Sequence, residues 1–430
     1  MKTSFIATGD SFITRHIGED GYEGYEDLWS LINEHEVRFA NLEMTFHNQE
    51  GYPAAASGGT WAMTEPEMLD DMLDFGFNLF NTANNHSGDY GQGGIAATIR
   101  HLRERGMLFA GTGMTLAEAS RPCYLETHDA RVAMIGVTSS FDPAARAGAQ
   151  SADVVGRPGL NPLRFKTVYH VNDAHFDMVK ELAQVTLVNW PVEQKIECGY
   201  LPPFAEGSLP FGKMNFVRDD REFIETVPHA GDMNRILEEI KEAKRQADIV
   251  LVSFHVHEMT GKDTTRPAQF HETFCHACIE AGASVVIGHG PHELRGIECY
   301  KGGIIFYSLG NFIFQTETTA VQPADAFQEQ RLPMDMKVGA YMDNRSRNNT
   351  IGFPVMPNIW RAVMAGWTIE DSKITSVNLY PIDLAMKASR AQRGLPRLSH
   401  DTDTLQYLQS LSEPYGTVID IQDGMGTIRL

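Results

Sequence analysis

The run FNLFNTANNHSGDYGQGGIAATIRHLRERG, residues 77–106, decides the fold class. Phe77-Asn78-Leu79-Phe80 begins a strand, and GGIAATIRHLRERG is a helix closed by Gly106. Between them lies NTANNHSGDYG, residues 81–91, a polar turn with three asparagines, a histidine and an aspartate. Strand, polar turn and helix make half of an α/β unit, and the rhythm recurs along the chain. KTSFIATGD opens as a strand and EVRFANLE, 36–43, is a second. TEPEMLDDMLDFG predicts a helix with a capping box, Thr64 as N-cap and Glu67 three residues on. RVAMIGVTSS, DIVLVSF and ASVVIG are strands, and PAQFHETFCHACIEAG is a helix. MNRILEEIKEAKRQA is amphipathic, with Ile236, Ile240 and Ala243 on one face. IECYKGGIIFYSLGNF is a hairpin turning at Lys301-Gly302-Gly303, and the chain closes with a helix and a small hairpin at Asp423-Gly424. This alternation predicts an α/β layered fold in a single domain, 1–430. Two Pro/Gly-rich or polar stretches, about 142–230 and 315–358, break the rhythm and are expected to be insertions that cover a site.

Hydrophobic residues are 42% of the 430, enough for a sizeable core. The formal net charge of −20 repels phosphate backbones and anionic lipid, so neither nucleic acid nor membrane is an expected partner. An anionic small-molecule substrate then needs a locally positive pocket, which a metal ion can provide. The run after Met1-Lys2-Thr3-Ser4 is too short for a secretory signal core, and no stretch approaches ~18 apolar residues. Five cysteines fit reduced thiols and a cytoplasmic setting. Cys275 and Cys278 fall on a predicted helix with no second CxxC, which suits a buried helix face better than a zinc site. A homo-oligomer is compatible with all of this.

Five polar clusters each follow an apolar strand: Gly9-Asp10, Asn41-Leu42-Glu43, Ala83-Asn84-Asn85-His86, Ser253-Phe254-His255-Val256-His257-Glu258, and Gly288-His289-Gly290-Pro291-His292. Singly, each is an ordinary turn, since Asn and Asp tolerate tight backbone geometry. In α/β sheets, however, loops at strand carboxyl ends converge on one crevice. Converged, they supply carboxylates, an amide oxygen and imidazoles, the ligand set of Mn, Zn or Fe.

The segments NLE 41–43, ANNHSGDYG 83–91, GTG 111–113, IGHGPHELRGIE 287–298 and YSLGNFIF 307–314 resemble the motifs of the CapA-type, poly-gamma-glutamate (capsule) synthesis family. That family is itself similar to calcineurin-like metallophosphoesterases. The resemblance covers residues 3 to about 141 and about 230 to 314, with a weak echo at the C-terminal YGT. It implies a layered β-sandwich flanked by helices and one or two divalent ions. By the same resemblance Asp10 is the first metal carboxylate, and Glu43 stands where related enzymes have a bridging aspartate. Asn85 is the amide ligand, and His86 contacts substrate and protonates the leaving group. His255 is a metal histidine, and His289 and His292 form the final pair. There are departures. The usual Asp-x-His is Asp10-Ser11-Phe12, with His16 as a possible replacement. The HWG-type motif is His255-Val256-His257-Glu258, which brings His257 or Glu258 into reach. The last pair is stretched to His289-Gly290-Pro291-His292.

This ligand set predicts a metal-dependent hydrolase acting on a phosphoester or amide bond through metal-activated water. His86 is the proton donor and Asp89, three residues on, its orienting partner. Arg157 and Arg164, held by prolines in RPGLNPLR, and Arg295 are candidates for an anionic substrate group. Asn311 in SLGNF is expected to support a ligand histidine from behind. The rival expectation is a non-enzymatic accessory or ligand-binding protein with a degenerate metal site.

Overall fold

A computed structural model describes residues 2–18 and 21–430. The opening strand Lys2–Phe12 is the axis of the larger sheet. It pairs in parallel with Val37–Leu42 and antiparallel with Arg361–Glu370. Outward on one side follow Leu79–Asn81 and Phe109–Ala110, all parallel. On the other side lie Lys373–Asp383 and the terminal hairpin Met425–Ile428/Ile419–Gln422. Near its carboxyl end the opening strand also takes on Asn311–Phe314 in parallel register. The second large sheet runs Leu294–Tyr300, Gly303–Leu309, Val285–His289, Ile249–His255, Arg131–Thr138, Cys123–Glu126. Its inner strands are parallel and each edge is an antiparallel hairpin. The hairpin at Lys301-Gly302 turns where expected, with both residues at positive φ.

Period-two alternation sorts the strands into separate cores. Phe5, Ala7 and Phe39 of the first sheet and Leu251, Val285 and Ile287 of the second join one cluster, so the two sheets share a core. Phe5 stacks flat on Trp367 within it, with centroids 5.1 Å apart. Ile6, Ala40 and Phe80 face the opposite way, onto Leu28 and Ile32 of helix Tyr25–Asn33 and Leu69 and Met72 of helix Met68–Asp74. Val250, Val252 and Phe254 face Ile236, Ile240 and Ala243 of helix Ala230–Gln246 and Phe274 of helix Gln269–Ala281. Helices thus cover the outer face of each sheet, and the architecture is α/β as expected. Cys275 and Cys278 are fully buried on the second of these helices.

The 64–76 helix begins later than the capping box predicts. Thr64 pairs in a short parallel ladder with Phe46, and its carbonyl accepts from the His47 amide at 3.0 Å. That lateral pairing takes the backbone that capping would have used, and the helix starts at Met68 without a side-chain cap.

The first insertion builds its own sheet, ordered Ser208–Phe211, Met214–Arg218, Phe165–Val171, Phe223–Pro228, with helices Asp173–Thr186 and Trp190–Glu197. It leans on helix Gln269–Ala281, where Phe165 stacks on Phe270 at 4.3 Å. Only its start, through Phe141, Asp142 and Ala145, reaches the crevice at the strand ends. The second insertion reaches the site from another side, with Phe353 edge-on to His292 at 5.5 Å.

Candidate metal centre

The carboxyl ends of Lys2–Phe12, Ile249–His255 and Val285–His289 meet across the inter-sheet core. A register shift between Ala7 and Asp10 turns Asp10 onto the face that Phe5 and Ala7 occupy, where simple alternation would have put Gly9. Gly9 is needed for another reason: a Cβ there would lie 1.8 Å from the Gly310 carbonyl oxygen. On the facing sheet, His255 and His289 continue the inward series of Leu251 and Ile287 and are direct neighbours in the ladder.

Two groups of ligand atoms result. Those of Asp10, His255 and His289 lie within 4.8 Å of one another, as do those of Glu43, His257 and His292. The groups touch: His255 Nε2 is 3.7 Å from Glu43 Oε1, and His292 Nδ1 is 3.6 Å from Asp10 Oδ2. Burial pushes the Asp10 carboxyl up to about 7, partly offset by hydrogen bonds from the Gly290 amide and Asn41 and by His86. Burial, then Asp10, then Asp89 push the Glu43 carboxyl well above the usual range. Burial also pulls the imidazoles down, His289 to about 3 and His292 to about 4, with His255 and His257 well below their usual value. Neutral imidazole is the ligating form.

The residues fit a divalent cation on three counts. Both Glu43 oxygens are buried with no hydrogen-bond partner, and so is Asn85 Oδ1. A buried carboxylate without a partner costs several kcal/mol, which a cation removes. Ring nitrogens also face each other, His255 Nδ1 to His289 Nδ1 at 2.9 Å and His255 Nε2 to His257 Nε2 at 3.0 Å. Imidazole nitrogens crowded together in this way form a donor set that a divalent cation could take up.

Supporting contacts hold the ligands. Asn81 Nδ2 donates to Asn41 Oδ1 and Asn41 Nδ2 to Asp10 Oδ1, each at 2.7 Å, so a row of amides across the sheet fixes Asp10. The Gly290 amide donates to Asp10 Oδ2 at 2.9 Å; its φ is +121°, and a Cβ there would meet Val256 N at 2.9 Å. Ser253 Oγ lies 2.7 Å from His289 Nε2, leaving Nδ1 for the centre. His292 has a left-handed φ of 61°, a conformation that costs about 1 kcal/mol. Asn311 offsets it, with Oδ1 2.9 Å from His292 Nδ1 and Nδ2 donating to the His292 carbonyl. Beside the centre, His86 Nδ1 lies 2.7 Å from Asp89 Oδ2, which also accepts from the Ala62 amide. The structure therefore brings together Asp10, Glu43, Asn85, His86, Asp89, His255, His257, His289, His292 and Asn311.

Five sequence candidates stand elsewhere or act differently. His16 pairs with Asp71 at 2.7 Å with its side chain 55% exposed, so it does not replace the missing histidine. That position is Phe12, buried and edge-on to His86. Glu258 stands outside the two ligand groups, its Oε2 accepting from Ser139 and Ser140 at 2.8 and 2.9 Å, and His257 is the one that falls within them. Arg164 grips Asp232 through Nε and Nη2, at 2.7 and 2.9 Å. Arg157 is exposed and donates to the Arg146 carbonyl. Arg295 is fully buried and donates to the carbonyls of Thr264, Val256 and His257, bracing the histidine loop rather than facing a ligand. Asn41, Asn81 and Ser253 were not singled out as supports; Ser253, two residues before His255, shares its face by strand period, which was the available signal.

A cleft of about 570 Å³ opens beside the centre, lined by Asn85, Asp89, Asp142, His257, Glu258 and small residues of 56–58. Among the described residues no helix is long and apolar enough to cross a membrane.

Fold and site together define a two-sheet α/β protein with a buried carboxylate–histidine centre. The chain belongs to the family described as bacterial capsule synthesis protein PGA_cap, which it matches over residues 4–316. It is similar to an uncharacterised protein of Sinorhizobium fredii, y4sH, with 31% identity over 99% of this chain and 93% of the relative. It is also similar to the capsule biosynthesis protein CapA of Bacillus anthracis, with 25% identity over 61% of this chain and 46% of the relative. A third relative is the "Probable polyglutamine synthesis accessory protein" of Mycobacterium tuberculosis, with 25% identity over 54% of this chain and 43% of the relative.

Proposed function

We propose that this chain is a cytoplasmic metal-dependent hydrolase of metallophosphoesterase-like sandwich architecture, cleaving a phosphoester or amide bond in a small substrate. One observation carries the reading: the orphaned oxygens of Glu43 lie 3.7 Å from His255 of one group and 3.7 Å from His292 of the other, and the Asp89 of a His–Asp pair lines the neighbouring cleft. Asp10, His255 and His289 would hold one ion, and Glu43, His257 and His292 a second, with Asn85 Oδ1 adding a neutral oxygen. Bound there, a divalent ion supplies Lewis-acid polarisation of the scissile group and of an attacking water. Asp89 fixes the His86 ring through Nδ1, which leaves Nε2 as the nitrogen that would give a proton to the leaving oxygen or nitrogen. Phe12 packs edge-on against the His86 ring.

A second reading, a non-enzymatic accessory protein, is favoured by Phe12 standing where the phosphoesterase pattern has a ligand histidine and by the printed name of the Mycobacterium relative. Metal analysis of the purified protein, with p-nitrophenyl phosphate, bis-p-nitrophenyl phosphate and γ-glutamyl anilide hydrolysis under Mn²⁺, separates the two. The hydrolase reading expects bound metal and turnover that falls about 10²–10⁴-fold in His86→Ala with metal content unchanged. Metal without turnover on any of these substrates overturns it in favour of the accessory reading.

A further inference from the structure

The cleft beside the metal centre carries the wrong charge for the distal end of an anionic substrate. Its lining includes the carboxylates of Asp89, Asp142 and Glu258 and no lysine or arginine. The three arginines expected to meet an anion are spent elsewhere, on Asp232, on the Arg146 carbonyl and in the buried histidine loop. Glu258 is a fixed wall rather than a mobile surface side chain. Ser139 and Ser140 both donate to its Oε2, and Ser140 Oγ in turn accepts from the His257 amide at 2.8 Å. Glu258 is part-exposed and lines the cleft, and its hydrogen bonds go through Oε2, not Oε1. The same cleft holds the buried, unpartnered Oδ1 of Asn85, so the acidic wall and the metal-ligand set share one cavity.

Resting on the hydrolase reading, we infer that the substrate presents a primary ammonium to this cleft, with Glu258 as the residue that selects it. The substrate is then bipolar: its scissile phosphoryl or acyl group faces the positive centre, and its amino end faces Glu258. An anionic group at this end of the cleft would face the carboxylates of Asp142 and Glu258 with no lysine or arginine in the lining, and like-charge juxtaposition discriminates against it.

Three phosphonates test this, because a tetrahedral oxyanion anchors at the centre whether the bond cleaved is a phosphoester or an amide. Isothermal titration of Mn²⁺-loaded protein compares 2-aminoethylphosphonate, propylphosphonate and phosphonoacetate. The expected result is about tenfold tighter binding of the amine than of the neutral compound, equivalent to about 1.4 kcal/mol, with the carboxylate weakest. In Glu258→Gln, whose amide oxygen can still accept from the two serines, the amine-to-neutral ratio should fall toward one. Ser139→Ala, which loosens Glu258 but keeps its charge, should lower the ratio only part of the way and guards against a folding artefact. If propylphosphonate binds but the amine gains nothing, or the carboxylate binds best, the inference fails while the hydrolase reading stands. If none of the three binds the metal-loaded protein, both fail.

Discussion

Replacing Asp232 by asparagine tests whether Arg164 is a structural residue. Asp232 lies in the first turn of helix Ala230–Gln246, with its side chain 2% exposed. It accepts from the Arg164 amide, from Arg164 Nε and Nη2, and from Arg235 Nη1 at 2.8 Å. Burial alone would raise its carboxyl; the hydrogen bonds from Arg164 and Arg235 outweigh that and hold it at about 2, against an ordinary 3.8. The gap of about 1.8 pH units is worth about 2 kcal/mol of stability at neutral pH. The folded value is the lower one, so this contribution is fully present above about pH 4 and is lost as the pH falls toward 2. At about 2.1 cal/mol/K per residue, the deficit of Asp232→Asn corresponds to a Tm lower by about 2–3 °C. Urea unfolding of both proteins between pH 7 and pH 2.5 measures the difference directly. It should be constant from pH 7 to about 5 and close toward zero below 4. A difference under about 0.5 kcal/mol at pH 7, or one that persists unchanged at pH 2.5, refutes the reasoning. Arg164→Ala should likewise cost about 1 kcal/mol and leave phosphonate affinity unchanged; a loss of affinity without a loss of stability would return Arg164 to the substrate.

Asn311→Ala removes the partner of His292 Nδ1 and should weaken metal binding about 10–100-fold in a chelator competition; unaltered affinity would mean that His292 is oriented without it. His16→Ala should leave metal content unchanged, because His16 is committed to Asp71, and a fall in bound metal would contradict the geometry. Gly9→Ala places a Cβ against the Gly310 carbonyl and should yield protein that is insoluble or destabilised by more than about 3 kcal/mol, read by thermal unfolding.

The sequence exposed those parts of the site that depend on single strands. Asp10, Glu43, His255 and His289 each end an apolar run, and parallel strands carry such residues to a common edge. What depends on pairing between distant strands was not legible. The row Asn81–Asn41–Asp10 exists only because three strands align in one register. Arg164 reads as a substrate ligand until Asp232, 68 residues on, is seen to occupy it. His16 lies six residues from Asp10 but turns toward Asp71, whereas His257, over two hundred residues away, arrives through the facing sheet. The Thr64 capping box failed for a similar reason, because a ladder with Phe46 is a tertiary event. The α/β class survived all of this because it rests on alternation of elements, which is local.

The opening strand also sets an order of events during synthesis. Lys2–Phe12 is synthesised well before its antiparallel neighbour Arg361–Glu370 and before Asn311–Phe314, which pairs with its carboxyl end. Until roughly residue 370 has emerged, the strand bearing Asp10 has one open edge, a template for pairing with other chains. The candidate centre therefore closes only after the histidines of 255–292 and the strand Asn311–Phe314 have been made. A product that ends before residue 311 can carry all the histidines of the candidate centre without the strand pairing that completes the edge of Lys2–Phe12.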